Sequence, residues 1–327
     1  MPIKYKLSTL LLAILTSTFC QAQEGSSIFS FLRNTTSAHA VALGGHNVSL
    51  AEDNVALTYS NPALMANVSD KTIGLNFLTY MKGVKAGSAG YCQAAGERGT
   101  WGANVVFQGY GSFTETLATG EILGTSSALD MCISGGYSYE LNDYWSGGAT
   151  GKVIYSHFGE FSSCALAADL GLNYYDEDHD FSFGIAARNL GAQVKRFGDH
   201  SEKLPADLEA GVSFGLGHAP ITLHITLIDL TCWKQSDYYS ANKEISGGRI
   251  FTNHLNLGVD IRPVKFIYIS GGYNFRRAYE LKAAGASHAA GLTFGAGLNL
   301  KKIKCGLAYA KYHLSMPAFS ISLAYSL

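Results

Sequence analysis

The sequence predicts an all-β fold: a transmembrane antiparallel β-barrel of the outer membrane with about 14 strands and a short, partly helical N-terminal plug segment. Charged residues make up only 15% of the 327 residues. A soluble domain carries about a quarter, so much of the surface does not face water. Glycine and tyrosine are abundant, with 37 and 19 copies. Beyond the N-terminus no run approaches the roughly 20 apolar residues of a membrane helix, which leaves a closed barrel as the membrane architecture.

Alternation of apolar and small polar residues is clearest at the end of the chain. Phe319, Ile321, Leu323, Tyr325 and Leu327 share one face of an extended strand, and the residues between them are serine or alanine. Side chains this small on the second face indicate a crowded interior. The same period of two recurs through most of the chain, which is typical of barrel strands.

Counting these alternating stretches gives about 14 strands, an even number as expected for a single-chain barrel. They are predicted to start near Thr72, Gly83, Thr100, Leu129, Tyr144, Ser162, His179, Asp207, Ala219, Gly248, Lys265, His288, Lys302 and Ala318. If the first strand runs outward, connections after even-numbered strands should be short periplasmic turns. The long outer loops are then predicted at residues 111–128, 191–206, 231–247 and 276–287. The short connection at Met81-Lys82 departs from this alternation.

Residues 1–22 are predicted to be a signal peptide. Lys4 and Lys6 precede an apolar stretch, and Cys20-Gln21-Ala22 has the small-x-small pattern of a cleavage site. We expect cleavage after Ala22. Acylation of Cys20 is the alternative, which Phe19 disfavours because a small residue is expected before a lipidated cysteine.

Residues 23–70 lack sustained alternation and are predicted to form the plug, with the barrel at residues 71–327. An Ala-rich stretch before Gly44 and Gly45 predicts a short helix that ends at these glycines. Asn61, Pro62 and Ala63 predict a turn that opens a second short helix. A segment this apolar is poorly placed in open periplasm, so we expect it within or beneath the barrel. A loosely attached periplasmic tail is the alternative.

No group of residues indicates an enzyme, and we expect no catalytic residues, no cofactor and no metal site. The Gly-x-Ser-x-Gly pattern of lipases occurs once, at residues 211–215, but it lies inside a stretch predicted to be a strand and not at the strand-to-helix turn that a nucleophilic serine requires. Residues 176–180 form an acidic run that contains one histidine, but a solvated turn is the simpler interpretation. The cysteines are widely spaced, with no CxxC. A net charge of −1 gives no basic surface for nucleic acid.

Three N-terminal stretches carry a family resemblance. They read GSSIFSFL at residues 25–32, SAHAVALGG at 37–45 and SNPAL at 60–64. In these the chain resembles the PorQ family of outer-membrane barrels of the type IX secretion system. That family is related to PorV and, more distantly, to the FadL group of fourteen-stranded transporters. The motif positions carried over, all structural, are Gly44, Gly45, Asn61, Pro62 and Ala63.

The resemblance implies a non-enzymatic role in protein export. It implies that the barrel, surrounded by outer-membrane lipid, holds a surface-exposed partner, PorZ, in an attachment complex with PorU and PorV, and that peptidase activity belongs to PorU. A FadL-type transporter of hydrophobic small molecules is the alternative function. Polar and charged outer loops favour the first. The candidate partner-binding residues on them are Glu115, Glu121, Lys195, Arg196, Asp199, Lys234, Asp237 and Lys243.

Overall fold

A computed structural model describes residues 29–81, 83–117, 119–197, 203–238, 244–285, 289–313 and 316–327. The predicted signal peptide, residues 25–28 of the first resemblance stretch, Lys82, Asp199, Lys243 and the predicted strand start His288 lie outside these ranges. Fourteen antiparallel strands form one closed barrel, in which each strand pairs with its sequence neighbours and β1 pairs with β14. The strands are β1 (Thr72–Met81), β2 (Val84–Ala94), β3 (Gly99–Thr116), β4 (Ile122–Glu140), β5 (Trp145–Phe158), β6 (Phe161–Asp176), β7 (Phe181–Lys195), β8 (Asp207–Gly215), β9 (Ile221–Leu227), β10 (Leu255–Val264), β11 (Ile267–Asn274), β12 (Leu292–Asn299), β13 (Ile303–Ala310) and β14 (Ala318–Ser326). The predicted fold class and strand number are confirmed.

The two faces of each strand have different chemistry, as the alternation predicted. In β14, Phe319, Ile321 and Leu323 point outward and are about half exposed, whereas Ser320 and Ser322 point inward and are buried. Strand β1 repeats this arrangement. Because the lipid of the outer membrane covers the outward face, the apolar side chains lie where a bilayer requires them.

Residues 29–70, here called the inner segment, lie inside the barrel. Their helices are all short: η1 (Ser30–Arg33), α1 (Ala38–Ala42), η2 (Val55–Tyr59) and η3 (Pro62–Asn67), where η marks a 3-10 helix. The segment comes into close contact with all fourteen strands, from Val55 beside Gly74 of β1 to the Ala38 amide, which donates to Ser322 Oγ of β14 at 2.8 Å. The wall therefore surrounds it on every side.

Strand length distinguishes two parts of the wall, with β1 and β2, of 10 and 11 residues, between them. Strands β3–β7, here called the tall half, have 14 to 19 residues each. Strands β8–β14, here called the short half, have 7 to 10. A tilted membrane strand needs about 9–11 residues, so the tall half extends beyond the bilayer.

The predicted outer loops are corrected accordingly. Residues 111–128 are mostly strand, because β3 runs on to Thr116 and β4 begins at Ile122. Gly248, a predicted strand start, lies instead in the helix α2 (Gly247–Asn253), and the helix α3 (Phe275–Ala283) occupies the predicted loop after β11. The long connections that follow odd-numbered strands therefore lie after β7, β9 and β11 and not after β3.

Connection lengths also orient the barrel. Every turn after an even-numbered strand is short, such as residues 141–144 between β4 and β5, and the longest connections follow β7, β9 and β11. Outer-membrane barrels place short turns in the periplasm and long loops outside, so the end with the long connections is the outer end. None of the helices in the described ranges is long and apolar enough to cross a membrane.

Candidate functional site

The glycine pair of the N-terminal motif ends α1 and brings it against the wall. Gly44 and Gly45 both have positive φ, at 102° and 99°, which glycine adopts without strain. The Gly45 amide donates to Ala40 O at 2.9 Å, and the Gly44 amide donates to Thr293 Oγ1 of β12 at 3.0 Å. A Cβ on Gly45 would lie 3.2 Å from the Arg277 guanidinium. The pair is therefore needed for both the turn and the close approach.

The second motif, Asn61-Pro62-Ala63, holds the other end of the inner segment. Asn61 Oδ1 accepts from the Ala63 amide at 3.0 Å and so caps η3, with proline in its first turn. The hydroxyls of Ser138 and Ser146 each donate to Ala63 O at 3.1 Å. The motif contacts β4 and β5 directly, which agrees with a structural role.

A buried network joins α1 to the short half. His39 Nδ1 lies 2.7 Å from Glu52 Oε2, and His39 Nε2 lies 2.8 Å from Asp260 Oδ2 of β10. The imidazole stacks on Tyr268 with ring centroids 3.8 Å apart. Burial by itself lowers the pKa of His39, but the carboxylates of Asp260 and Glu52 outweigh it and raise the pKa to about 10. His39 is therefore a cation that links two carboxylates.

Two ion pairs within the wall lie against the inner segment: Lys152–Asp169 joins β5 to β6, and Arg188–Glu209 joins β7 to β8. Lys152 Nζ lies 2.6 Å from Asp169 Oδ2 and 4.3 Å from the centre of the Tyr59 ring. Arg188 Nη1 donates to Glu209 Oε1 at 2.8 Å, and Arg188 Nη2 lies 3.3 Å from a backbone oxygen of the inner segment. Buried charges are retained where they are paired. Their cations contact the inner segment through the Tyr59 ring and the Leu32 carbonyl oxygen, and so position it against the wall.

One buried trio has the order of a hydrolase triad. Ser213 Oγ lies 2.8 Å from His224 Nδ1, and His224 Nε2 lies 3.3 Å from Asp260 Oδ2. Ser213 Oγ also lies 2.8 Å from Ser49 Oγ, and all three members are nearly inaccessible to solvent. A nucleophile must reach its substrate, and this serine is buried. We therefore interpret the trio as part of the hydrogen-bonded contact between the wall and the inner segment.

A cavity of about 480 Å³ opens at the outer end. The inner segment forms its floor, and the connections after β9, β11 and β13 form its sides. The Asp229 carboxylate accepts from both Arg33 and Arg276, and Arg276 Nε also donates to Glu280 Oε1 at 3.0 Å. Tyr312, which packs under the Arg277 guanidinium at 4.0 Å, closes one side. Charged and hydrogen-bonding groups share the lining with apolar side chains such as Phe31, Ile228 and Leu281.

The candidate partner-binding residues lie on separate parts of the outer end. On the tall half, Glu121, Lys195 and Arg196 are exposed, and Glu115 is half-buried with its carboxylate accepting from Ser126 Oγ.

On the short half the expectation of exposed charges holds only in part. Lys234 is exposed, but Asp237 is buried, because its carboxylate accepts from the Lys234 amide at 2.9 Å and caps a short 3-10 helix, η4 (Gln235–Asp237). The structure thus places the predicted charges in at least two groups and does not bring them together.

The alternation of the strands marks Asp169, Arg188 and Asp260 as interior charges of mixed sign that are expected to pair, but the sequence did not reveal their partners or the residues that form the cavity. Arg33 and Asp229 are 196 positions apart, and His39 and Asp260 are 221 apart. The sequence feature that could have revealed them is a charged residue at an inward-facing position of a strand, as for Lys152 and Glu209. That feature identifies a buried charge but not its partner.

Comparisons with known proteins give the fold. No protein-family model matches the chain, and no curated protein matches it. Among solved structures, a Pseudomonas aeruginosa FadL homologue aligns with a TM-score of 0.52 and 12% identity over 89% of this chain and 98% of its own. The Pseudomonas putida toluene transporter TodX aligns with a TM-score of 0.53 and 14% identity over 89% of this chain and 97% of its own. The CymD monoaromatic hydrocarbon channel aligns with a TM-score of 0.55 and 13% identity over 90% of this chain and 98% of its own. The chain therefore has the FadL-type fold of a fourteen-stranded outer-membrane barrel.

Proposed function

We propose that this chain is a non-enzymatic outer-membrane barrel that holds a surface-exposed partner protein at its outer end. The resemblance to the PorQ family implies that the partner is a PorZ-like protein of a type IX secretion attachment complex, together with PorU and PorV. The observation that carries the proposal is the inner segment, which lies in close contact with all fourteen strands and is held to them by buried hydrogen bonds and by ion pairs such as His39–Asp260. A lumen occupied in this way supports a static scaffold.

The chemistry of the outer cavity supports the same proposal. Pockets for apolar molecules are lined mainly by apolar and aromatic side chains, with a few polar groups that fix orientation. Here Arg33, Asp229, Arg276 and Glu280 lie at the surface of the cavity. Transfer of a hydrocarbon from water to such a lining gains little free energy, because the charged groups would lose hydration without gaining a partner.

Transport of hydrophobic small molecules is the second candidate, and the fold comparisons favour it more than the secretion role. Two of the matched structures are a toluene transporter and a monoaromatic hydrocarbon channel. In addition, an apolar groove of about 460 Å³ lies in the wall at β8–β12, where Leu223, Leu257 and Phe294 line it. It faces the bilayer, which makes it a surface that a hydrocarbon could reach.

Two measurements on the detergent-solubilised barrel distinguish the candidates. The first is co-purification with the PorZ-type protein of the same organism. The second is calorimetric titration with toluene and with a long-chain fatty acid. We expect a stable protein complex and no saturable binding of either apolar ligand. Saturable binding of toluene or fatty acid without retention of the protein would replace the scaffold by the transporter.

A further inference from the structure

The top of the tall half is a two-stranded ribbon with two unpaired edges. Pairing between β2 and β3 ends at Lys85 and Gly109, and pairing between β4 and β5 ends at Ala128 and Phe158. Beyond these points β3 and β4 form a ladder only with each other in the part of the chain that the structure describes, from Ser112–Ser127 to Thr116–Ile122. At the base of the β4 edge the Gly159 amide donates to Ser127 O at 3.1 Å, so that edge is unpaired from Ser126 outward. Residues 111–117 and 119–127 are here called the outer ribbon.

The outer ribbon lies outside the bilayer. The stretch of β3 from Gly99 to Gly109 is paired on both sides and is already as long as a membrane strand needs to be. From Ser112 to Thr116 the ribbon continues for a further 17 Å or so, at about 3.4 Å per residue. A β-bulge between Gly109 and Ser112 marks where it leaves the wall.

The ribbon is built to interact through its backbone and its apolar end. An isolated two-stranded hairpin is at best marginally stable in water, and an unpaired strand edge is a template for another strand. Leu117, Ile122 and Leu123 near the turn are 44%, 70% and 61% exposed. Natural proteins usually protect such an edge with lysine or proline, and residues 111–127 contain neither.

The charge of the ribbon narrows the class of partner. Its only charged residues are Glu115 and Glu121, so the ribbon itself is negatively charged. A second copy of this chain would bring the same glutamates together, and like charges on paired strands are destabilising. A segment that carries lysine or arginine complements it.

We propose that the surface-exposed partner docks on the outer ribbon by strand addition: an extended segment of the partner, with lysine or arginine side chains, pairs with one of the free ribbon edges. This inference rests on the proposed function and specifies where and how the partner is held. An extended peptide is the occupant that supplies alternating donors and acceptors at strand spacing. Its apolar side chains would cover Ile122 and Leu123.

The test uses the full barrel in detergent and the purified PorZ-type protein of the same organism as the probe. In one variant an Asn-Gly turn replaces residues 111–127 and joins Gly109-Tyr110 to Ala128. In a second, Glu115→Lys is combined with Glu121→Lys. The matched control reverses two exposed charges on the periplasmic turns, Glu97→Lys with Asp143→Lys. Heat-modifiable gel migration verifies that each barrel is folded.

We expect the first variant to lose the probe and the second to bind it at least tenfold more weakly, with the control within twofold of the natural chain. A photo-crosslinker at Thr114 or Thr125 should join the natural chain to the probe. Binding within twofold by both ribbon variants, or crosslinks only between two barrels, would overturn the inference and leave the scaffold function standing. Failure of the natural chain to bind the probe would instead overturn the proposed function.

Discussion

The tall and short halves of the wall use their extra residues in different ways. In the tall half, β3 and β4 continue as strands, and the connection between them is only residues 117–121. In the short half the strands end near the membrane boundary, and the chain continues through long connections that contain α2 and α3. The first arrangement projects a stiff edge outward. The second folds back over the inner segment and forms the charged cavity.

The same contrast holds inside the barrel. In the tall half the inner segment packs closely against glycines of the wall, such as Gly148, and against Lys152. The ionic partner of Lys152 is Asp169 on the neighbouring strand β6 and not a residue of the inner segment. Short-half contacts rest on carboxylates that receive cations from the inner segment, as Asp229 receives Arg33 and Asp260 receives His39. The free energy of unfolding should therefore depend on close packing in the tall half and on ion pairs in the short half.

Loss of the Asp229 charge should have the largest effect. Asp229→Asn keeps a residue that tolerates the positive φ of 53°, but it leaves Arg33 and Arg276 without their shared carboxylate. Removing one partner of a buried pair costs about 3–5 kcal/mol. We expect a large drop in melting temperature and early protease cleavage of the outer connections. Asp143→Asn, in an exposed turn, is the control, and equal melting of the two variants would contradict a charge-dependent short half.

A pH series should show the next largest effect, through His39. Its pKa in the folded chain, about 10, lies above the ordinary value of 6.5. The stabilising contribution is therefore complete below pH 6.5 and declines as the pH rises toward 10. We expect the melting temperature of the natural chain to fall across this window relative to that of His39→Gln, which has no such proton to lose. Parallel curves for the two proteins would show that His39 is not a buried cation.

A glycine substitution tests the role of shape in the tall half. A Cβ on Gly148 of β5 would lie 2.5 Å from the backbone of Pro62. Gly148→Ala should therefore cost about 1–3 kcal/mol, as overpacking does. Gly124 in the outer ribbon has no atom within 4 Å of the same position, and Gly124→Ala is the matched control. If thermal denaturation gave the same midpoint for both, the close contact at Gly148 would not constrain the inner segment.

The smallest effect is expected at Lys195. Its side chain is exposed and lies 2.5 Å from Ser162 Oγ. Lys195→Ala should change the free energy of unfolding by no more than about 0.5 kcal/mol, as surface substitutions do. Partner retention should also be unchanged, because Lys195 lies outside the outer ribbon. A loss of partner binding in this variant would move the docking surface toward β7.

The strand number could be predicted because lipid imposes a simple rule on each strand. In β14 every outward residue must be apolar and the inward residues small or polar, so Phe319 to Tyr325 show the strand directly. Strand ends could not be predicted where that rule stops. Beyond the membrane both faces of the outer ribbon meet water, and its glycine, serine and threonine residues look like those of a loop.

The candidate site was less predictable. Gly44, Gly45 and Asn61-Pro62-Ala63 could be recognised because local backbone geometry requires them. Asp229 could not, because its role arises only when closure of the barrel brings Arg33 beside it. Asp237 was misjudged as a free loop charge, since its cap depends on a single helical turn that the sequence does not mark.

The enclosed position of the inner segment has a consequence for biogenesis. The seam between β1 and β14 joins Thr72 to Ser326, 254 residues apart, and the inner segment contacts both seam strands. Once the seam has closed, the segment can enter only through an end of the barrel. We therefore expect it to be in place before closure, so that the wall assembles around it, and we expect defects in its motifs to appear first as a low yield of inserted barrel.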